Sequence, residues 1–320
     1  MKHVFVFDPN SFYTQQFKMD AIIDSIGEFF RTQEKPDFSI QMSRYRRNAT
    51  GIIQDESEKA NPGDIIRIYA IGGDEILFDC LNGAALFPNT QLAIIPYGRI
   101  NDFLRIFGER NIEGFKDIPS IINGEILPTD AIRWGINYAL NSCYIGINPA
   151  ASKKTTSSQS TIARKGISAF KKLSTFFSFI KMAFDKQIAA RKYEIIIDGV
   201  DYSGTYSLIH AANGPYFAGK ITGLNEAIPD DGYLDVALIK SSHPLTTMFS
   251  IKKYSKGKQP KNSVFVQGKT ITVKSDSQMW IQLDNEFISD TNITMSLIPQ
   301  AINMVVLNNL SYPIASISAL

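Results

Sequence analysis

The sequence is poor in the residues that build disulfide frameworks and zinc sites. Its 320 residues include two cysteines, Cys80 and Cys143, and three histidines. Two thiols cannot form a disulfide framework, so we expect a reducing, cytoplasmic compartment. His3, His210 and His243 have no cysteine or acidic partner at ligand spacing, which argues against a zinc site. His210 lies within a predicted strand, and we interpret it as a structural histidine.

The sequence also lacks long apolar runs and a strong net charge. No stretch approaches 18 uninterrupted apolar residues, which argues against a membrane-spanning helix, and the N-terminus does not resemble a signal peptide. The net charge of +2 argues against a general nucleic-acid-binding protein, because such proteins have strongly basic domains. Hydrophobic residues make up 44% of the chain, enough for a sizeable core, and its length of 320 residues favours two domains.

Strand and helix patterns alternate up to about residue 130. The predicted strands are Val4–Phe7, Phe38–Met42, Ile65–Ala70 and Leu92–Ile95. A helical pattern after the first strand has Phe17, Ala21, Ile22, Ile26 and Phe29 on one face. Strands that alternate with helices indicate a parallel, doubly wound α/β sheet with ligands at the carboxyl ends of its strands.

After about residue 130 the pattern changes to strands with little helix between them. The predicted strands are Ile132–Ile147, Tyr193–Val200, Gly204–Ala212, Tyr233–Ile239, Ser263–Lys274 and Met279–Leu283. This pattern favours an antiparallel, β-rich sandwich or barrel. We therefore predict an α/β domain at residues 1–131 and a β-rich domain at residues 132–320, and leave open whether the last segment returns to the first domain.

A basic segment interrupts the predicted strands. The Ser/Thr/Lys-rich stretch Ser152–Thr161 is followed by apolar residues at helical spacing between Ile167 and Ile188, with lysines and arginines on the other faces. Two interpretations are open. The helix either packs on the sandwich with a solvated basic face, or lies on an anionic membrane surface.

Gly72, Gly73 and Asp74 directly follow the third predicted strand. Two glycines let backbone amides approach an anion, and the N-terminus of the next helix adds a favourable dipole. This is where a phosphate-binding turn would lie, although Gly-Gly-Asp alone is also an ordinary turn. The motif becomes more specific when it is considered together with the other motifs along the chain.

The order and spacing of several motifs resemble the catalytic domain of the diacylglycerol kinase family. Gly72–Asp74 with Asn82-Gly83, followed by Pro96–Phe103, resembles the family's GGDGT…NG and PxGTxNDFAR patterns. Further segments in matching order are Ser43 with Ala49 (T…GDA), Asp130, Asn213–Gly219 (NGxxxGGG), Pro229–Val236 (P…DGLLDV), Asp284–Glu286 (DGE) and Pro299–Ile302. The resemblance covers nearly the whole chain.

The resemblance implies ATP- and Mg²⁺-dependent phosphorylation of a lipid hydroxyl, such as that of diacylglycerol. It implies a lipid substrate and peripheral contact with the inner face of a membrane, and the small net charge argues against a nucleic-acid partner. ATP would be bound by Ser43, Gly72, Gly73, Asp74, Gly98, Arg99, Asn101 and Asp102. Asp74 would hold the catalytic Mg²⁺ through water, and Glu286 would be the general base. Asp231, a further catalytic candidate, would hold a second, structural Mg²⁺ with the carbonyls of Ile228 and Tyr233.

Several small residues of the family's loops are replaced in this sequence. The opening NPxSG is Asp8–Phe12, and GGDGT is Gly72–Ile76. A Glu75 carboxylate roughly 5 Å from a phosphate oxygen would cost about 3 kcal/mol at an effective dielectric near 20. Either Glu75 and Arg99 pair and plug the pocket, or Arg99 binds phosphate while Glu75 turns away, or both point to solvent. A catalytically degenerate relative that binds lipid or membrane is therefore the alternative function.

Overall fold

The computed structural model describes residues 1–13, 16–61, 63–146, 191–217, 219, 221–284 and 286–313. The basic segment between residues 152 and 188, with its two interpretations, lies outside these residues. No helix in the described ranges is long and apolar enough to cross a bilayer.

The N-terminal part is a parallel α/β sheet, as predicted. Its strands are β1 (Lys2–Phe7), β2 (Phe38–Met42), β3 (Ile66–Gly72) and β4 (Thr90–Pro96), in the spatial order β2-β1-β3-β4. Its helices are α1 (Gln16–Arg31), α2 (Asn48–Glu58), α3 (Asp74–Ala84) and the short α4 (Ile118–Ile122). Every residue of β3 is buried, which is typical of a strand covered by helices on both faces.

The buried face of α1 differs from the predicted one. Met19, Ile22, Ile26 and Phe30 form it, whereas Phe17 is 68% exposed. The Phe30 ring stacks on Phe38 at the start of β2, with 4.5 Å between ring centroids. The apolar residues of α1 are compatible with more than one buried face. This tertiary contact therefore determines which face of the helix is turned toward the sheet.

The C-terminal part is β-rich and antiparallel, which confirms the predicted fold class. Its described strands are β5 (Glu125–Trp134), β6 (Asn137–Ala139), β7 (Ser142–Ile145), β8 (Arg191–Ile197), β9 (Val200–Asp201), β10 (Gly204–Ala212), β11 (Leu234–Lys240), β12 (Ser263–Gly268), β13 (Thr270–Leu283) and β14 (Glu286–Val306), and helix α5 (Pro244–Tyr254) lies between β11 and β12. The predicted strand at residues 132–147 is divided by a turn at Gly135, whose φ is +57°. The predicted strand Ser263–Lys274 is divided at Lys269: its first part is β12, and its second part is continuous with the predicted strand Met279–Leu283 in β13.

Two strands of this part wrap around a shared core. Both β7 and β8 pair with β10 at one edge and with β13 at the other. The enclosed apolar core includes Ile145, Ile195, Ile209 and Ile281. Because β7 and the N-terminal part meet through β13 and β14, this core lies directly beside the parallel sheet.

Strand β14 belongs to both parts of the molecule. Its first half pairs antiparallel with β13, and its second half pairs with β5 and, in parallel, with β4, where Met304 lies opposite Leu92. Met295 is buried in the C-terminal core and Met304 in the N-terminal core. The two parts therefore share one continuous sheet.

Candidate active site

The predicted nucleotide-binding residues lie at the carboxyl ends of the parallel strands. Asp8 follows β1, Ser43 follows β2, Gly73 follows β3, and Gly98 follows β4. This edge of a doubly wound sheet is where such folds bind ligands. The structure therefore brings the four predicted loops to one side of the molecule.

The loops after β3 and β4 pack backbone against backbone. A Cβ atom on Gly98 would lie 2.3 Å from the Gly73 Cα, and one on Gly73 would lie 2.8 Å from the Ile100 carbonyl oxygen. The Gly98 amide donates to the Gly72 carbonyl over 2.7 Å, and the Asp74 amide donates to Ile100 over 3.0 Å. The two loops thus form one rigid unit in which side chains cannot replace the glycines.

Three carboxylates lie near this unit, close enough for the charges of Asp102 and Asp284 to affect Asp74. Both carboxylate oxygens of Asp74 accept the backbone N–H of Asp102, at 3.1 and 2.8 Å. The Asp102 carboxylate accepts the Gly219 amide at 2.7 Å and pairs with Arg105 at 3.3 Å. Asp284 accepts the backbone amides of residues 140, 141 and 142 at 2.7, 3.0 and 2.9 Å. The C-terminal part thereby contributes one acid to a group that begins on α3.

Burial raises the pKa of two of these acids. Asp74 is 7% exposed, and burial raises its pKa from 3.8 to about 8, with further increases from the charges of Asp102 and Asp284. Burial also raises the pKa of Asp284 to about 6, against the lowering effect of its backbone hydrogen bonds. Concentrated carboxylates with raised pKa values are typical of functional sites, and a nearby cation would stabilise their charged forms.

Glu286, the predicted general base, is held by two arginines. It begins β14, and its carboxylate forms ion pairs with Arg46 and, at 3.4 Å, with Arg47. Both arginines come from the connection between β2 and α2. The structure therefore places the candidate base against the N-terminal part, in contacts that the motif comparison did not predict.

Arg47 is fixed by several further contacts. Its amide donates to Asp79 at 2.8 Å, its guanidinium lies 4.5 Å above the Phe78 ring, and it donates to Asn137 at 3.2 Å. Its φ of +65° is unusual for a side chain other than glycine. Arg47 occupies the position of the glycine in the family's GDA segment. This replacement of a glycine by an arginine is the feature of the sequence from which the contacts of Arg47 could have been suspected.

Phe12 and Ile76, two bulky residues at positions where the family has small ones, lie in different places. The Phe12 ring is buried and packs against Tyr97, 5.2 Å between centroids, so it enlarges the core instead of entering the pocket. Ile76 has the opposite effect. Its Cγ2 methyl lies 2.9 Å from where a Gly72 Cβ would be, so it covers the space above that glycine.

The interpretation in which Glu75 and Arg99 pair and plug the pocket is wrong. Both side chains are exposed, and no ion pair joins them among the described residues. Glu75 instead lines an open cavity of about 60 Å³ at the carboxyl ends of the strands. Its other lining residues are Asp8, Asn10, Ser43, Tyr45, Arg46, Ile76 and Asp79.

The residues predicted for a second metal site form a separate group. The Asp231 carboxylate accepts the Tyr233 amide at 2.9 Å, and the Asp231 amide lies 3.5 Å from the Ile228 carbonyl oxygen. Burial raises the Asp231 pKa, as do the charges of Asp130 and Asp230. No group of three or more acidic, histidine or cysteine side chains could hold a metal ion in the described ranges. The metal assignment of Ile228, Asp231 and Tyr233 stays a prediction.

Comparisons with known proteins identify the family. Residues 3–134 match the sequence model of the diacylglycerol kinase catalytic domain, and residues 154–306 match that of the YegS C-terminal NAD kinase beta sandwich-like domain. The chain belongs to the diacylglycerol kinase family of lipid kinases. The family resemblance in the sequence is thereby confirmed.

Curated relatives and solved structures of this family resemble the chain over nearly its full length. Proteins named "Putative lipid kinase" from Staphylococcus aureus strains RF122 and MRSA252 are 26% and 25% identical, covering 93% of this chain and 97% of their own. A crystal structure of "a putative diacylglycerol kinase" from Bacillus anthracis matches with a TM-score of 0.73 at 23% identity, covering 96% of this chain and 95% of its own. Such a likeness establishes the same two-part fold.

Proposed function

We propose that this lipid kinase family member transfers the terminal phosphoryl group of ATP to a lipid hydroxyl such as that of diacylglycerol. The observation that carries the proposal is the buried Asp74 carboxylate between Asp102 and Asp284. Phosphoryl transfer depends on positioning and on neutralising charge, and this acidic group lies at the strand ends where both would occur.

The residues present fit a magnesium ion held largely through water. Asp74 is a hard oxygen ligand whose pKa is raised by burial, and a cation bound beside it would favour its charged form. Mg²⁺ prefers such ligands and keeps several of its waters, so it does not require three converging carboxylates. When bound, Mg²⁺ supplies charge neutralisation at the phosphates. Asp74 would orient its water shell, and the Asp102 amide would orient Asp74.

The cavity at the strand ends is the proposed site for the phosphate part of ATP. Ser43, Gly72, Gly73, Gly98, Arg99, Asn101 and Asp102 are the proposed nucleotide-binding residues, and Ser43 lines the cavity. The Ile76 side chain takes up part of the space above Gly72. The phosphates would therefore bind on the open side of the cavity.

Glu286 is the proposed general base. Its carboxylate would accept the proton of the lipid hydroxyl while the hydroxyl oxygen forms a bond to the terminal phosphorus of ATP. The phosphorus–oxygen bond to ADP breaks in the same transfer. A base must lie within hydrogen-bond reach of the proton that it takes. Arg47 would keep the carboxylate oriented during this step.

The test is phosphate transfer by the purified protein to diacylglycerol in mixed micelles with Mg-ATP. We expect phosphatidic acid to form, and Glu286→Gln to reduce its formation by about a hundredfold or more, because the amide cannot accept the proton of the lipid hydroxyl. Glu194→Gln, which removes an exposed carboxylate on β8, is the matched control. A protein that transfers phosphate to no lipid hydroxyl, or a Glu286→Gln variant with normal turnover, contradicts the proposal.

A catalytically degenerate lipid-binding relative is the second candidate function. The Ile76 methyl above Gly72 favours it, because that methyl occupies space next to a phosphate-binding glycine. In that case the same assay yields no phosphatidic acid, and Mg-ATP leaves the melting temperature unchanged. ATP at about 100 times its Kd would otherwise add about 2.7 kcal/mol to the free energy of unfolding.

A further inference from the structure

An ion pair connects one wall of the cavity at the strand ends to the C-terminal part. Arg46 lines the cavity together with Ser43 and Glu75, and its guanidinium pairs with one carboxylate oxygen of Glu286. The other carboxylate oxygen faces Arg47 at 3.4 Å. One acid is thus shared by two neighbouring arginines with different surroundings.

Arg46 can leave this pair more easily than Arg47. The Arg46 side chain is 62% exposed, and Glu286 is its ion-pair partner in the described part of the chain. Arg47 is 31% exposed and is also held by Asp79, Asn137 and the Phe78 ring. The Arg46 end of this pair is in solvent, and Glu286, which is 17% exposed, keeps Arg47 as a cationic partner when Arg46 leaves.

The cavity needs a cation to accept phosphates. Three carboxylates line it, those of Asp8, Glu75 and Asp79, and Arg46 is the one cationic side chain on its described walls. The Arg46 charge is already balanced by Glu286. A planar guanidinium with five donors matches phosphate oxygens well and forms strong charge-assisted hydrogen bonds with them.

Resting on the kinase function proposed above, we propose that Arg46 is a phosphate-binding residue that exchanges Glu286 for the phosphates of Mg-ATP. In the free protein Arg46 forms an ion pair with one carboxylate oxygen of Glu286. When nucleotide binds, Arg46 turns to the phosphates, and one oxygen of Glu286 becomes free to accept a proton while Arg47 holds the other. Nucleotide binding would thereby prepare the general base.

Calorimetric titration with Mg-ATP in the absence of lipid tests the exchange. Arg46→Ala is expected to raise the Kd about tenfold to a hundredfold, because charge-assisted hydrogen bonds are lost. Glu286→Gln is expected to lower the Kd about two- to fivefold, because Arg46 no longer has a competing anion. In the Arg46→Ala background, Glu286→Gln should leave the Kd unchanged.

Arg44→Ala is the matched control, since Arg44 is an exposed arginine of the same connection that does not line the cavity. It should change the Kd less than twofold. Equal weakening by Arg44→Ala and Arg46→Ala, or a Glu286→Gln variant that binds no more tightly than wild type, overturns the exchange and leaves the kinase proposal standing. Absence of Mg-ATP binding by the wild-type protein overturns both.

Discussion

At the scale of single residues, motif order named the acidic candidates for the site but not the arginines that contact one of them. Asp74, Asp102 and Glu286 were found because each belongs to a motif whose spacing is set by strands and turns. Arg46 and Arg47 were missed because the motif fixes the two ends of that connection, Ser43 and Ala49, and not the residues between them. Side-chain direction in a loop depends on tertiary contacts that spacing does not encode.

The same limitation explains the error over Glu75 and Arg99. The two loops do pack together, but through the backbones of Gly73 and Gly98. Glu75 lies in the first turn of α3 and lines the cavity with Arg46, on the side of the β2–α2 connection. Knowing that two loops touch therefore does not show which of their side chains meet.

The sequence favoured a satisfied structural histidine for His210, and the structure confirms its burial but not the complete set of hydrogen bonds. It is fully buried in β10, its Nδ1 lies 2.5 Å from the Tyr254 hydroxyl, and its Nε2 has no hydrogen-bond partner. Burial lowers its pKa from 6.5 to about 3. The folded protein therefore keeps His210 neutral at pH values where the unfolded chain protonates it.

This shift predicts acid sensitivity. Between pH 6.5 and pH 3 the unfolded state binds more protons, so stability falls as the pH falls, by about 1.4 kcal/mol per unit. His210→Gln should be less stable than wild type at pH 7.5 but should lose less stability between pH 6.5 and pH 5. Urea unfolding at each pH measures the difference. His243→Gln, at an exposed site, should follow wild type, and parallel pH profiles for all three proteins would contradict the expectation.

At the scale of elements, the contact between the β3 and β4 loops is the least tolerant feature of the site. Gly98→Ala would place a methyl 2.3 Å from the Gly73 Cα, and neither backbone can move without disturbing Asp74. We expect a loss of about 1–3 kcal/mol in the free energy of unfolding and a loss of Mg-ATP binding. Thermal melting and nucleotide titration check both effects.

Gly27→Ala is the matched comparison for that substitution. Gly27 lies inside α1, and a Cβ there would meet nothing within 4 Å. Alanine should add about 0.5–1 kcal/mol at this position, because glycine loses more conformational freedom in a helix. If both substitutions change the melting temperature in the same direction, the close approach of the two loops is not what constrains Gly98.

The sequence predicted strands correctly where an apolar run had clear turn residues at its ends. Strand β2 is found at the predicted residues, Phe38–Met42, because turn residues flank it on both sides. Strand β14 was not predicted, because Pro299 argues against the middle of a strand. The structure accommodates it with a register shift between Ile298 and Ile302 and a positive φ of 48° at Gln300. The Asp130 carboxylate accepts the freed Gln300 amide at 2.8 Å.

At the scale of the whole molecule, β14 joins the two parts into one sheet. Chains with two domains often unfold in separate steps. Here Met295 and Met304 lie on the same strand but are buried in different cores. Loosening either core removes support from the strand on which the other depends.

We therefore expect a single unfolding transition in calorimetry, with equal calorimetric and van't Hoff enthalpies. Met295→Ala and Met304→Ala should each destabilise the protein by about 2–5 kcal/mol and move that one transition. Two resolved transitions, with each substitution moving only its own, would show that the two parts unfold independently.

The shared strand also has a consequence for synthesis on the ribosome. Strand β4 is complete once residue 96 has been made, yet one of its two edges pairs with residues 303 and 304, some two hundred residues later. At the usual rates of translation, that edge waits unpaired for roughly 10 to 40 seconds. An open strand edge invites pairing with other chains. Until its final strand emerges, the nascent protein therefore exposes an edge of its central sheet to other chains.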